Sequence, residues 1–566
     1  MRQFFIIFIF IVGLSCKAQN FYLKINGNNL IENKTIDSLN YIIQHQNIKS
    51  LFNEVNNTSQ KLTKKGFLDN TILSTNKIND STYTSIISIK NRTKNIHIYI
   101  GRNNPFFNSS ETKNDTLVLA YENTEKYLNQ KIIDAEKQGF ALSKIKLENI
   151  QRKNLIIYAD LSFKSEKKRT VNSIIMNYTN TNNTNFFPKG HLKQLNKKYI
   201  NRTFNQNTVK ELYEDINSFE FITQTKYPEI LFTNDSTKVY AYIEKRKANT
   251  FDGYIGFSND ENKKLNLNGY LDITLQNILH SGEQFSLYWK SDGNQQKTFN
   301  TKLEIPYIFK TSLGIKAQLN IFKQDSTFQN TKTAIDLGYY INYNSKIYLG
   351  YQSTESSDIQ NTNNLMISDF NNSYFTSTLA YRKNDNSNDL SPRKAYLNLT
   401  AGYGKRTTND NPETAESSKQ FYINLNGSYN FELNKRNYIN INSQNFYLNS
   451  KNYISNELFR FGGVNSIRGF LENSLQSNFN SLILTEYRYF ASKNLYINSI
   501  IDYGLYQDLT STFEKNKIKK LIGIGIGTGI QTKNGLLKIT LTNGAQNTDE
   551  LQLYNTIINI CYNVKF

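Results

Sequence analysis

Residues 459–470 read FRFGGVNSIRGF, and Arg460 and Arg468 are their only ionisable side chains. An arginine side chain is a planar fork of N–H donors that can grip a carboxylate through two parallel hydrogen bonds. Lysine cannot reproduce that geometry. Gly462, Gly463 and Gly469 allow the segment to turn sharply and to approach a neighbouring surface closely. Downstream, Leu484–Arg488 (LTEYR) carries Glu486 and Arg488, and Ile500–Gly504 (IIDYG) carries Asp502 beside Gly504. This is the chemistry of directed ionic contacts, not of bond making. His45, His97, His191 and His280 are scattered without metal-ligand spacing and read as surface or turn residues. There is no H-E-x-x-H, no G-x-S-x-G and no Cys/His pair, so no catalysis, metal or cofactor is expected. The run Ile522–Ile530 (IGIGIGTGI) lacks the spacing of a phosphate loop and no helix follows it. On a strand its glycines 523, 525, 527 and 529 would all face one way and leave a bare inner wall with room for an inserted segment.

The elements that must position these residues are strands. From Phe251 onward the apolar pattern has period 2: Leu313, Ile315, Ala317, Leu319 and Ile321 alternate with Gly314, Lys316, Gln318 and Asn320, and residues 394–403 and 537–542 behave alike. Sixteen such segments can be marked between 251–258 and 553–566. The connections after even-numbered strands are mostly tight, as at 341–344, 491–493 and 532–534. Those after odd-numbered strands are mostly long and polar, as at 354–372 and 449–479. Short turns at one end and long loops at the other, with an even strand count, describe a transmembrane β-barrel of sixteen antiparallel strands. The barrel must close, because an open edge in lipid leaves backbone groups unpaired. The FRFGGVNSIRGF segment falls in the connection between the eleventh and twelfth strands.

Residues 20–250 mix helix and strand. Strand Phe21–Ile25, helices at Ile36–Ile43 and Ile48–Leu62, and strands at 71–75, 83–89 and 95–100 make a first unit, 20–101. A helix at Thr124–Gly139 with strands at 145–147 and 155–163 makes a second, 102–166. Strand Val171–Tyr178, helices at 192–196 and 208–217, and strands at 229–233 and 237–244 make a third, 167–250. The repeat is one of architecture rather than of letters.

Composition agrees. Only 38% of the 566 residues are hydrophobic, yet there are 38 Tyr and 36 Phe, a balance that suits many strands with one wet face. Residues 1–18 read as an export signal: Arg2, the apolar run Phe4–Val12, then Ser15 and Ala18, with cleavage expected near Ala18. A lipoprotein reading at Cys16 is disfavoured, since Gly13 stands where Leu is expected. Once Cys16 leaves with the signal, Cys561 has no intrachain partner. The formal charge of +20 is spread along the chain rather than clustered. A solvated surface, not a nucleic-acid partner, is therefore expected, with a secondary attraction to acidic lipid head groups.

With these residues in place, the chain resembles the BamA/TamA family, which includes the two-partner-secretion transporters. The resemblance rests on Gly462, Gly463, Ser466, Ile467, Arg468, Gly469 and Phe470 in the sixth outer loop, on Glu486 and Arg488 in the twelfth strand, and on Asp502 in the thirteenth. The units in 20–250 look like POTRA domains, three in number as in TamA. The resemblance implies that Arg468 meets Asp502 with the loop folded into the lumen. It also implies that the chain sits in the bacterial outer membrane with its N-terminal domains in the periplasm. Its partners would be outer-membrane lipid, unfolded client polypeptides and a periplasmic or inner-membrane protein. The terminal Phe566 resembles the aromatic end by which barrel substrates are recognised. The implied function is insertion or translocation of client polypeptides, through a seam between the first and last strands or through the lumen. At the seam, Phe251 opens a short strand in which Gly253 and Gly256 weaken pairing. A transporter for one dedicated client, a passive channel and a surface-antigen barrel are the rival readings. A passive channel would need neither the repeat units nor the R-G-F loop.

Overall fold

The computed structural model describes residues 20–101, 106–107, 115–179, 186–259, 265–292, 296–360, 366–384, 390, 393–408, 417–511, 517–547 and 551–566. The predicted export signal lies outside them. Two compact bodies are present: residues up to 170 with 203–207, and residues 171–202 with 208–566.

The first body holds two α+β units. Unit one comprises β1 (Phe21–Asn26), α1 (Leu30–Asp37), β2 (Gln44–His45), α2 (Ile48–Lys64), β3 (Thr71–Lys77) and β4 (Thr82–Ser88), with sheet order β2-β1-β4-β3. Leu23, Ile25, Ile36, Leu51, Val55, Leu62 and Ile87 form its core. The first helix begins and ends about six residues before the predicted Ile36–Ile43. It starts where Asn29 accepts a hydrogen bond from Glu32 N at 2.9 Å, while Asn28 N donates to Glu32 Oε2 at 2.7 Å. This reciprocal capping outweighs the apolar period, and leaves Leu30 and Ile31 exposed.

Unit two comprises β5 (Asn95–Tyr99), β6 (Thr116–Ala120), α3 (Tyr121–Lys137), β7 (Lys144–Lys153) and β8 (Ile156–Lys164), in the order β6-β5-β8-β7. The strand 95–100 expected to close unit one instead pairs with β6 and, in parallel, with β8. Ile96 and Ile98 pack on Leu117 and Ile157, so burial rather than proximity in sequence decides its sheet.

In the second body, unit three comprises β9 (Ser173–Tyr178), α4 (Lys189–Tyr199), α5 (Gln206–Asn217), β10 (Ile222–Phe232) and β11 (Thr237–Lys245), in the order β10-β11-β9. In all three units the opening strand runs parallel to a later one across a helical crossover: β1 with β4, β5 with β8, β9 with β11. The three units therefore share this parallel pairing, although unit two has a single helix among the described residues where units one and three have two. The chain then enters the barrel strands β12 (Thr250–Asn259), β13 (Leu265–Gln276), β14 (Gln284–Asp292), β15 (Gln296–Ile305), β16 (Leu313–Gln324), β17 (Phe328–Tyr340), β18 (Ser345–Asp358), β19 (Phe370–Asn384), β20 (Arg393–Thr408), β21 (Ser417–Asn434) and β22 (Asn437–Asn449). After a loop that carries β23 (Phe459–Phe461) and β24 (Leu475–Ser477), the strands β25 (Phe479–Ser492), β26 (Leu495–Gln507), β27 (Lys519–Gln531), β28 (Gly535–Gln546) and β29 (Ile557–Lys565) complete it.

These sixteen strands close with β29 beside β12. Ile335, Leu337, Leu349, Tyr351 and Phe375 face outward, while Lys316 pairs with Asp336 at 2.9 Å on the lumen side. Apolar outside and polar inside is the pattern of a transmembrane barrel. The loop asymmetry is weaker than expected in the first strands: the connection at 325–327 is as short as the turns at the other end. It is pronounced later, at 450–478.

Candidate functional site

The connection 450–478 is folded into the barrel and anchored around the wall. Asn456 donates to Ser356 Oγ and to Ser368 O, both at 2.8 Å, and its carbonyl accepts from Asn330 at 2.6 Å. Glu457 pairs with Arg406 and accepts from Gln420 at 2.7 Å. β23 and β24 form a small hairpin, and the Arg460 guanidinium lies over the Phe328 and Phe322 rings, 5.3 and 5.6 Å from their centroids.

Beyond the hairpin the loop doubles back. Gly462, Gly463 and Gly469 have φ of 112°, 99° and 87°, in the left-handed region that disfavours side chains. Here the two arms of the loop touch. A Cβ on Gly462 would lie 2.5 Å from Leu471 O, and one on Gly463 would lie 3.0 Å from Glu472 Cα. Ser466 N closes a turn onto Gly463 O at 3.0 Å. Ile467 is fully buried among Phe461, Leu482, Leu484, Tyr506 and Leu521, and Phe470 packs on the edge of this cluster. Gly504 makes room for it: a Cβ there would lie 3.1 Å from Ile467 Cδ1.

The arginine that follows meets the thirteenth strand as the resemblance implied. Arg468 is 6% exposed and Asp502 is 0% exposed. Nε donates to Asp502 Oδ2 at 2.7 Å, Nη2 donates to Oδ1 at 2.5 Å, and the Arg468 backbone N–H adds a bond to Oδ2 at 3.0 Å. Thr485 N also donates to Oδ1 at 3.2 Å. The fork is then used up: Nη1 donates to Glu486 at 2.5 Å and Nη2 donates to Thr485 O at 3.2 Å. Glu486 is shared with Arg488, whose Nε lies 2.7 Å away and whose guanidinium covers Tyr496. Two arginines and two carboxylates make a neutral, hydrogen-bonded set. A buried ion pair needs this to offset the loss of hydration.

The tip rests on a wall made of glycine. A Cβ on Gly523 would lie 2.2 Å from Arg468 O, and one on Gly544 would lie 2.7 Å from both Gly469 O and the Phe470 ring. Of the four glycines in IGIGIGTGI, Gly523 receives the loop. Gly525, Gly527 and Gly529 are crowded by neighbouring wall residues instead, with Tyr496 nearest to Gly529.

Sequence reasoning missed Asn456, Glu457 and Glu472. Glu472 pairs with Lys290 on β14 and accepts from Tyr288 Oη at 3.1 Å. Its one signal was a carboxylate just past the R-G-F tip, four residues after Arg468. The histidines also need correction. His45 and His191 are buried, and the His191 ring lies in an aromatic box in which Tyr307 is 4.7 Å and Phe219 5.2 Å away, centroid to centroid.

The seam is thinly paired. Among the described residues β12 and β29 are in register at Thr250 with Lys565 and Phe251 with Val564, and Phe566 N donates to Asn249 O at 3.0 Å. By contrast β28 pairs with β29 along Gly535–Thr542. Gly253 approaches β13 closely, with 2.5 Å between a hypothetical Cβ and Tyr270 O, and Gly256 stands opposite Asn268.

Fold and site together define an outer-membrane β-barrel closed by sixteen strands, with an arginine-anchored loop inside and α+β units before it. CdiB from Acinetobacter baumannii superposes with a TM-score of 0.51 at 13% identity, over 80% of this chain and 83% of that one. CdiB from Escherichia coli (TM-score 0.47, 12% identity, 92% of this chain and 97% of that one) and BamA from Haemophilus ducreyi lacking POTRA domains 1–3 (0.46, 14%, 78% and 93%) also match. No family model and no curated protein matches the sequence.

Proposed function

We propose that this protein inserts client polypeptides into, or translocates them across, the outer membrane. The α+β units stand in the periplasm, where a free strand edge can take up an extended client as an added strand. The client then leaves through the β12–β29 seam or the lumen. The observation that carries this reading is the seam of two register pairs beside a loop locked into the wall by Arg468 and Asp502. A passive pore has no use for a weak joint next to a buried ionic anchor. The roles assigned to Arg468, Asp502, Glu486, Arg488 and the seam residues Phe251, Gly253, Gly256 and Phe566 follow from it. The chemistry is non-covalent throughout. A transporter dedicated to one client is the second reading, favoured by the likeness to the Acinetobacter CdiB structure.

The mechanism is tested by a staple. Phe251→Cys with Val564→Cys, in a Cys561→Ser background, joins residues that already face each other. Oxidation should abolish function and reduction restore it, while the folded barrel persists in both states. Full activity of the oxidised form would exclude lateral opening. The client class is read by depleting the protein and comparing outer-membrane proteomes: broad loss of barrels indicates general assembly, and loss of one secreted protein a dedicated transporter.

A further inference from the structure

At the end of the barrel that carries unit three, the turns 277–283 and 306–312 and the start of α4 surround a cavity of about 600 Å³. Its lining includes Lys189, Lys310, His280, Ser281, Ile305 and Phe309. Three features of this cavity belong together.

The first is its position. Ile305 continues the outward row of Leu303, and opposite it Leu313 and Ile315 begin the outward face of β16. The cavity therefore opens at the foot of the outward, apolar wall of the barrel. The second is the exposure of large apolar side chains on turns. Phe309 is 92% exposed and Leu279 is 78% exposed, with Ile278 beside it. Tyr307, Phe309 and Lys310 have φ of 54°, 52° and 57°, a conformation non-glycine residues adopt at a cost. An aromatic ring held out on a strained turn beside a bilayer is an interfacial anchor. The third is charge. Two lysines and a histidine border the cavity, while the Ser281 hydroxyl there already donates to Glu283 at 2.7 Å.

We propose that this cavity binds one phospholipid from the leaflet on the side of unit three. Its phosphodiester sits between Lys189 and Lys310, with His280 at the head group. An acyl chain runs over Ile305 and Phe309 onto the barrel wall. A lysine stem can lie along an acyl chain while its ammonium group meets the phosphate, which suits that arrangement. The assignment rests on the barrel's position in the membrane and not on what it transports.

The test is native mass spectrometry of the full-length protein released from nanodiscs containing phosphatidylethanolamine and phosphatidylglycerol. The wild type should retain one lipid through collisional activation that strips the others. Lys189→Glu with Lys310→Glu should lower that occupancy at least tenfold, and Phe309→Ser, with both cations intact, several-fold. Heat-modifiable gel mobility confirms that each variant still forms a barrel. Equal retention by wild type and the double-lysine variant, or no retained lipid on the wild type, would overturn the proposal. So would displacement of the lipid by millimolar inorganic phosphate, which would make this an anion site rather than a lipid site.

Discussion

Arg468 and Glu472 lie four residues apart on one loop but hold opposite sides of the barrel seam. Arg468 is bound to Asp502 on β26 and Glu472 to Lys290 on β14. Around the barrel, β27, β28, β29, β12 and β13 lie between those two strands. The loop therefore spans the β12–β29 joint from inside. Lateral opening must separate its two attachments or release one of them.

The weaker attachment is Glu472, because both it and Lys290 are about one-third exposed. A pair screened to that extent contributes about 1 kcal/mol, or roughly fivefold in a population. Glu472→Gln should therefore raise the frequency of large openings in planar-bilayer recordings by roughly that factor, without unfolding the barrel. Unchanged gating would mean that the strap does not restrain the seam.

The Arg468 anchor should behave differently. Removing one member of a buried, hydrogen-bonded ion pair costs about 3–5 kcal/mol. Arg468→Ala should free the loop, seen as rapid tryptic cleavage at Arg460. Arg468→Lys should be intermediate, since one ammonium cannot reach both Asp502 oxygens, Glu486 and the Thr485 carbonyl together. Arg468→Glu with Asp502→Arg should not recover the wild-type protease pattern, because Glu486 would face the introduced carboxylate. Full recovery by the swap would show that Glu486 plays no part.

The glycine wall can be tested without touching charge. Gly523→Ala places a methyl group where Arg468 O stands, 2.2 Å from the new Cβ, whereas at Gly427 the nearest atom would be 3.4 Å away. Gly523→Ala should increase loop cleavage severalfold while the barrel keeps its heat-modifiable mobility. Gly427→Ala should do neither. Equal behaviour of the two would mean that the tip does not depend on close approach to β27.

The barrel was legible because a strand with lipid on one face and water on the other writes its period into every second residue, as in Leu313–Ile321. The Arg468–Asp502 contact was legible only through family resemblance, since nothing local links positions 34 residues apart. Glu457 and Glu472 escaped notice for that reason: their partners Arg406 and Lys290 are 51 and 182 residues away. The strand Asn95–Tyr99 was assigned to the wrong sheet because its parallel partner, Ile156–Asp160, lies beyond an entire helix. Pairing across a crossover leaves no mark on the strand itself. The aromatic box around His191 gathers Phe187, Phe219, Phe221, Tyr307 and Tyr343 from unit three and two barrel turns, so no single segment foretells it.

That box makes the docking of unit three sensitive to acid. His191 is fully buried, neither ring nitrogen has a hydrogen-bond partner among the described residues, and a Cβ on Gly282 would lie 2.0 Å from its ring. Burial, with the nearby Lys346 adding to it, lowers its pKa from 6.5 to about 3. The folded value lies below the unfolded one, so His191 supports docking fully above pH 6.5 and loses that support as the pH falls toward 3. At pH 5 the loss is about 2 kcal/mol. Glu220 acts in the same direction. Burial would push its carboxyl up, but Arg382, Gln276 and Asn384 hold it below the usual carboxylate range. Its contribution is therefore present above the ordinary carboxylate pKa and fails at still lower pH. Hydrogen exchange in α4 should accelerate between pH 6.5 and 4.5 once intrinsic rates are divided out, and His191→Phe should flatten that dependence. If the variant retains the wild-type pH profile, the docking does not depend on a neutral His191.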